Sequence, residues 1–316
     1  MSKPAVLMLG GGSERMRERL SDVFDLTVAD GDPAEVIAER GDTFQYCLSM
    51  YHGGVGAAQM DAMPNLKAIS NYGVGYDSID TPAAVERGIV VTHTPDVLND
   101  EVANTAIMML LASARNLVHD QAYLRHGRWE AEGNAPLSRS IAGRLVGIVG
   151  MGRIGQTIAE KLAVFGTEIA YHSRTAKDVP LRYVPDLVTL SRQADFLIVI
   201  TPGGPATRHL INAEVMDALG PDGTLVNVAR GSVVDQEALI AALQEGRLGF
   251  AALDVFEAEP HVPEALIALK NTLLLPHVGS ATVETRQAMG DLAVDNLIEH
   301  HKTGRAVRPV PECQHL

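Results

Sequence analysis

Cysteine is nearly absent from this chain, with only Cys47 and Cys313 among 316 residues. That count excludes a disulfide framework and fits a reducing compartment. Basic residues are also in the minority, 26 against 39 acidic, for a formal net charge of −13. A molecule whose average field repels phosphate backbones and anionic lipid is not expected to bind nucleic acid or a membrane, although a local basic pocket for a small anion is compatible with it. Long apolar runs are missing as well. Beyond the first ten residues the longest, Leu145 to Val149, Phe196 to Ile200 and Ile107 to Ala112, fall far short of the ~20 residues of a membrane span. The start, Met1 to Gly10, has too short an apolar run for a secretory leader, and none is expected. There is no Cys/His cluster, no H-E-x-x-H and no G-x-S-x-G elbow, which argues against a metal site, zinc chemistry and serine hydrolysis. What remains is a cytoplasmic globular protein of about two domains, at ~150 residues each.

Short aliphatic or β-branched runs alternate with longer amphipathic segments, the pattern of βαβ units around parallel sheets, and this predicts an α/β protein. In the first part Ala5 to Leu9, Tyr46 to Met50, Lys67 to Ser70 and Ile89 to Thr92 are predicted strands. Residues 96–116 predict one long, largely apolar helix, with Asn99 or Asp100 as N-cap after Pro95. A helix apolar nearly all round must be buried, between domains or between subunits. A second run of strands follows: Leu145 to Val149, Glu168 to His172, Phe196 to Ile200, Thr224 to Asn227, Gly249 to Leu253 and Thr272 to Leu275. That is the count of a complete dinucleotide-binding sheet. The amphipathic stretch Glu284 to Lys302 reads as a helix returning the chain to the first domain. Residues 1–96 with 285–316 are therefore expected to form one domain and 97–284 the other. Trp129 to Ser140 reads as a polar connection without period, reaching across a homodimer whose interface includes the apolar helix.

The run Leu145 to Ala159 contains a strand, then Gly150-Met151-Gly152-Arg153-Ile154-Gly155, then a helix. Gly150 is expected to make the tight turn, Gly152 to admit a pyrophosphate to the backbone, and Gly155 to let helix and strand pack closely. The helix N-terminus adds amide donors and partial positive charge. Gly10-Gly11-Gly12 lacks this spacing and reads as a plain turn. At the tip of the next strand, Tyr171-His172-Ser173-Arg174 carries no acid for ribose hydroxyls. Arg174 and Ser173 suit a 2′-phosphate instead, which predicts NADP(H) in preference to NAD(H).

Three further strand ends carry polar residues: Asn227-Val228-Ala229-Arg230-Gly231, Asp254-Val255-Phe256-Glu257-Ala258-Glu259-Pro260, and Pro276-His277-Val278-Gly279-Ser280. Together with the glycine loop these resemble the D-2-hydroxyacid dehydrogenase family, whose signatures have the forms N-x-x-R-G, D-V-F-x-x-E-P and P-H-x-G-S/A. The likeness spans nearly the whole chain, including Asn71 to Asp77 and Thr94 to Leu98. It is most similar to the NADPH-dependent glyoxylate, hydroxypyruvate and hydroxyphenylpyruvate reductases within that family. The resemblance implies two Rossmann-like or flavodoxin-like domains with doubly wound parallel sheets and an active site in the cleft between them. It places the family's Arg, Glu and His on Arg230, Glu259 and His277. It also implies cofactor contacts from Arg153, Ile154, Thr201, Pro202, Thr207, Val228, Ala229, Arg230, Asp254, His277 and Gly279.

Those residue types suit the reduction of a 2-oxo acid, which takes a hydride at the carbonyl carbon, a proton at its oxygen and a cation for its carboxylate. Histidine titrates near neutrality, and a neighbouring carboxylate would favour the imidazolium and orient it. Arg230 offers a planar fork to carboxylate and carbonyl oxygens. Glu257 competes with Glu259, and Glu259 is preferred as the signature acid before Pro260. Asp254 is placed either to bond a nicotinamide amide or to serve as a turn acid. The amides of Val74 and Gly75 are expected to cup a small carboxylate, while Met50 and Tyr51 are expected to face the rest of the substrate. His52, His93, His300 and His301 lack metal-ligand context and read as solvated or core residues. The function expected is NADPH-dependent reduction of a glyoxylate- or hydroxypyruvate-like acid to the D-2-hydroxy acid. The alternatives are a hydroxyphenylpyruvate or 2-ketogluconate reductase, or a dinucleotide-sensing, corepressor-like binding protein.

Overall fold

A run such as Ala5-Val6-Leu7-Met8-Leu9, buried at every position, has no solvent face, and that is the signature of a central parallel strand. In the computed structural model, which describes residues 3–50 and 53–316, it is β1. Tyr51 and His52 lie outside the described residues. The chain divides into two units, Met1–Leu98 with Thr282–Leu316, and Asn99–Ala281.

The first unit adds β2 (Asp25–Ala29), β3 (Phe44–Ser49), β4 (Ala68–Asn71) and β5 (Val90–Thr92), in the order β2-β1-β3-β4-β5. All pairings are parallel. This is the flavodoxin-like order. Strand β2 was not expected from sequence. It lies at the sheet edge with Asp25 and Val28 exposed, so it carries no continuous apolar run to announce it. Helix Val283–Thr303, capped by the Thr282 hydroxyl, packs on β3, β4 and helix Glu14–Val23. Ser70 Oγ donates to the Ala293 carbonyl at 2.8 Å, fixing helix to sheet. On the outer side Arg15 and Arg19 both reach Asp291 at 2.8 Å. The Arg15 hydrogen bond is the main cause holding the Asp291 carboxyl below its ordinary range.

The second unit holds β6 (Leu145–Val149), β7 (Glu168–His172), β8 (Arg182–Tyr183), β9 (Phe196–Val199), β10 (Thr224–Asn227), β11 (Phe250–Leu253) and β12 (Thr272–Leu274). Their order is β12-β11-β10-β9-β6-β7-β8, again all parallel. The sequence predicts six strands. The seventh, β8, is a two-residue edge strand too short for any pattern. The sheet's direction of winding reverses at β6, so the turns after β6 and β9 flank the crevice where ligands bind in such sheets.

The expected single helix over 96–116 is shorter in the structure, Asn99–Ala114. Asp96 has φ +75° and Asn116 φ +51°, both non-helical, and Asn116 redirects the chain into helix Leu117–Arg125. Nor is the helix buried all round: Met108 is half exposed, while Val102, Ala106, Met109 and Leu110 are buried. It packs on β10, β11, β12 and helix Arg153–Ala163. The connection expected to lack regular structure contains a short helix, Arg128–Glu132, whose first and last residues form an ion pair at 2.8 Å. Among the described residues, no helix is long and apolar enough to cross a membrane.

Candidate active site

The turn after β6 shows what each glycine does. Gly150 has φ +108°, and a Cβ there would lie 2.8 Å from the Ile200 carbonyl oxygen. A Cβ on Gly155 would lie 2.1 Å from the Gly150 carbonyl oxygen, so only glycine lets helix Arg153–Ala163 start this close to the strand. Gly152 differs: a Cβ there meets nothing within 4 Å. Its backbone faces open space at a helix N-terminus, the geometry that suits a pyrophosphate. Arg153 and Ile154 form the first turn of that helix, Arg153 exposed and Ile154 partly so. Across the crevice Thr201 follows β9, and its buried Oγ1 has no hydrogen-bond partner among the described residues. The Thr207 hydroxyl donates to the Pro202 carbonyl at 2.7 Å and closes the loop after it.

Beyond β7, Arg174 is exposed. The neighbouring Ser173 hydroxyl donates to the Thr175 carbonyl at 2.7 Å. A phosphate accepts hydrogen bonds only, so Ser173 meets one only after releasing that bond.

The polar residues after β10, β11 and β12 lie at the ends of adjacent strands. Asn227 is 1% exposed and clasps its own loop, Nδ2 donating to the Arg230 carbonyl at 3.0 Å and Oδ1 accepting from Ala229 N–H at 3.0 Å. That clasp covers Val228 and Ala229, which are buried, and leaves Arg230 partly exposed with Nη1 on the Ala229 carbonyl at 2.9 Å. A Cβ on Gly231 would lie 1.9 Å from the Phe256 carbonyl carbon, so this loop is seated directly on the one that carries Glu259.

Glu259 Oε2 lies 2.7 Å from His277 Nδ1, while Oε1 accepts the Phe256 N–H at 2.9 Å. The carboxylate is thus oriented by backbone, and it fixes the proton of the imidazole on Nδ1. The His277 side chain is 40% exposed against 17% for Glu259. His277 has φ +53°, held by its N–H on the Asp254 carbonyl at 2.8 Å. Asp254, 1% exposed, accepts Val278 N–H on one oxygen and Gly279 N–H on the other, both at 2.7 Å. Through these bonds Asp254 braces the loop that presents His277. Burial pushes its carboxyl above the ordinary range, opposed by those two amide bonds. Glu257 is engaged elsewhere, by His209 Nε2 at 2.7 Å and Arg208 Nη2 at 3.2 Å. Neither the Asn227 clasp nor the His209 contact was expected from sequence, because each depends on partners met only in the fold.

In the first unit Met50 follows β3 and packs against the glycine turn after β1, its Cβ 3.2 Å from where a Gly10 Cβ would stand. Tyr51 lies outside the described residues. Val74 and Gly75 sit in the loop after β4, partly exposed. His93 Nδ1 lies 3.0 Å from the Val74 carbonyl, a contact that its reading as a solvated or core residue did not foresee.

Residues 107–279 match the family described as D-isomer specific 2-hydroxyacid dehydrogenase, NAD binding domain. Glyoxylate/hydroxypyruvate reductase A from Arabidopsis thaliana is 43% identical over 98% of this chain and 100% of its own length. A 2-ketogluconate reductase from Gluconobacter oxydans is 41% identical over 98% of this chain and 99% of its own. Among solved structures, the NADPH-dependent glyoxylate/hydroxypyruvate reductase of Sinorhizobium meliloti, in complex with NADP and malonate, is 47% identical with a TM-score of 0.92. That match covers 99% of this chain and 98% of the other. On these matches the chain belongs to the D-isomer specific 2-hydroxyacid dehydrogenase family, a family of oxidoreductases.

Proposed function

We propose that this protein reduces a small 2-oxo acid of the glyoxylate or hydroxypyruvate type to the D-2-hydroxy acid, using NADPH. The observation that carries the reading is the Glu259–His277 pair at 2.7 Å, presented at the strand ends of a dinucleotide-binding sheet. With Nδ1–H committed to Glu259, Nε2 is the nitrogen that hands a proton to the carbonyl oxygen. Arg230 supplies the cation for the acid, and the Val74 and Gly75 amides supply neutral donors. When bound, the nicotinamide supplies the hydride. Gly150, Gly152 and Gly155 shape the bed for its pyrophosphate, and Thr201 offers an unspent hydroxyl beside it. Relatives named for glyoxylate, hydroxypyruvate, hydroxyphenylpyruvate and 2-ketogluconate reduction support the substrate class. Mixing the enzyme and NADPH with each of these four acids tests it: loss of NADPH absorbance with at least one is expected, and loss with none refutes it.

The preference for NADPH rests on exposed Arg174 and on the lack of an acid at the β7 tip. Arg174→Ala should weaken NADPH binding about tenfold, the worth of one charge-assisted contact, and leave NADH nearly unchanged. Equal losses for both cofactors would remove the argument. The free, buried thiols of Cys47 and Cys313 support a reducing, cytoplasmic setting.

We further infer a two-fold homodimer. Met108, Leu117, Val118, Leu124 and Trp129 are all about half exposed, and Ile107, Met108, Leu111, Val164 and Phe165 line an open apolar groove. Exposed apolar side chains gathered in this way support an interface between copies. Sedimentation at micromolar concentration should show a dimer, and a monomer would overturn the inference.

A further inference from the structure

We propose that Asn71 and His93 are positioning residues that hold the Val74-Gly75 turn so that its amides receive a carboxylate. This rests on the reading above that the substrate is a 2-oxo acid whose carboxylate those amides bind. A trans peptide is planar, with its carbonyl and its N–H pointing in opposite directions, so fixing one fixes the other.

Three successive carbonyls in this loop are fixed. Gly73 O accepts from Thr94 N–H at 2.9 Å and from Asn71 Nδ2 at 3.2 Å. Val74 O accepts from His93 Nδ1 at 3.0 Å, which places the proton on that nitrogen because a carbonyl has none to give. Gly75 O accepts from the same Asn71 amide at 3.0 Å. The donors come from the ends of β4 and β5, one side of the loop. The N–H groups of Val74 and Gly75 must therefore face the other side, and among the described residues they meet no acceptor. Two adjacent amides turned the same way form an anion-binding concavity.

The anchors are themselves anchored. Asn71 is 6% exposed. The His93 backbone is held at both ends, its N–H on the Arg308 carbonyl at 3.1 Å and its carbonyl accepting from Asn296 Nδ2 at 3.1 Å. Its ring meets Tyr76 edge-on at 5.5 Å. The loop thus reads a negative charge with neutral donors, and the correct peptide orientation is built into the side chains of two residues that need not touch the substrate.

The test is steady-state reduction of glyoxylate with NADPH by the full-length protein. His93→Phe keeps the ring beside Tyr76 and removes the donor. It should raise KM about tenfold while kcat stays within about twofold, since the lost contact binds ground and transition states alike. NADPH affinity and melting temperature should be unchanged. His93→Asn restores an N–H donor and should bring KM back to within about threefold of the parent. Asn71→Ala should reproduce the KM effect, and it decides the matter by the same criteria if His93→Phe fails to fold. A folded variant with parental KM, or one in which kcat falls and KM does not move, overturns the proposal. If the parent reduces no 2-oxo acid, the functional reading fails and this inference fails with it. A parent that turns over, with variants of unchanged KM, removes the inference alone.

Discussion

Replacing His277 by alanine should lower the rate of 2-oxo acid reduction by ~10²- to 10⁴-fold, the usual worth of a placed general acid, while NADPH still binds. The separation follows from where the groups lie. The glycine bed belongs to the turn after β6, whereas His277 hangs from a loop after β12 that Asp254 braces through Val278 and Gly279. Glu259→Gln probes the same pair more gently. Its side chain still has an oxygen to accept a hydrogen bond from His277 Nδ1, but the charge is gone. Without that anion the imidazole loses its charged anchor, so the single-turnover rate should fall about tenfold while NADPH affinity is kept. Cofactor titration by fluorescence and single-turnover rates check these outcomes. Normal reduction by His277→Ala, or a parental rate in Glu259→Gln, would show that another group gives the proton.

Two glycine substitutions three residues apart should both weaken NADPH binding, but only one should cost stability. A methyl group on Gly155 would stand 2.1 Å from a backbone oxygen, so Gly155→Ala must push helix and strand apart. Overpacking of this kind costs ~1–3 kcal/mol, and both the melting temperature and NADPH affinity should drop. Gly152 has φ −84° and open space where its Cβ would be. Gly152→Val should therefore fold and melt like the parent, yet lose at least about tenfold in NADPH affinity, because the new side chain occupies room a pyrophosphate needs. Calorimetry and cofactor titration on the pair check this. A Gly152→Val protein that binds NADPH normally would mean the dinucleotide lies elsewhere.

How much of this could be read from sequence depends on where each signal is stored. Central strands such as β1 and β9 are buried on both faces and spell themselves out as unbroken apolar runs. Strands β2 and β8 pair on one side only and carry exposed or polar residues, so their existence is decided by the neighbour they pair with. The long helix was over-extended because its apolar pattern continues through positions where Asp96 and Asn116 adopt positive φ. Glycine spacing was readable at the cofactor turn because consecutive residues do the work there. Asn71 and His93 were not, because they converge on one loop from the ends of two different strands. Glu259 was preferred over Glu257 only for the Pro260 that follows it; the fold supplies the physical reason, giving Glu257 to His209 and Glu259 to His277.

The larger unit interrupts the smaller one, since residues 99–281 sit between two stretches that share a sheet and its covering helix. On the ribosome this order has a cost in time. Domains generally fold as they emerge, so the nucleotide-binding portion has its whole sequence available while the first five strands still lack the helix Val283–Thr303. Until that last segment is made, the flank of β3 and β4 that Ala293 and Leu297 cover stays uncovered, the Ser70 hydroxyl lacks its acceptor, and Val91 lacks the amide of Val310 that it later bonds. The first unit is therefore completed only after the second, and a chain released at residue 281 would present that apolar flank to chaperones while its second sheet has all seven of its strands.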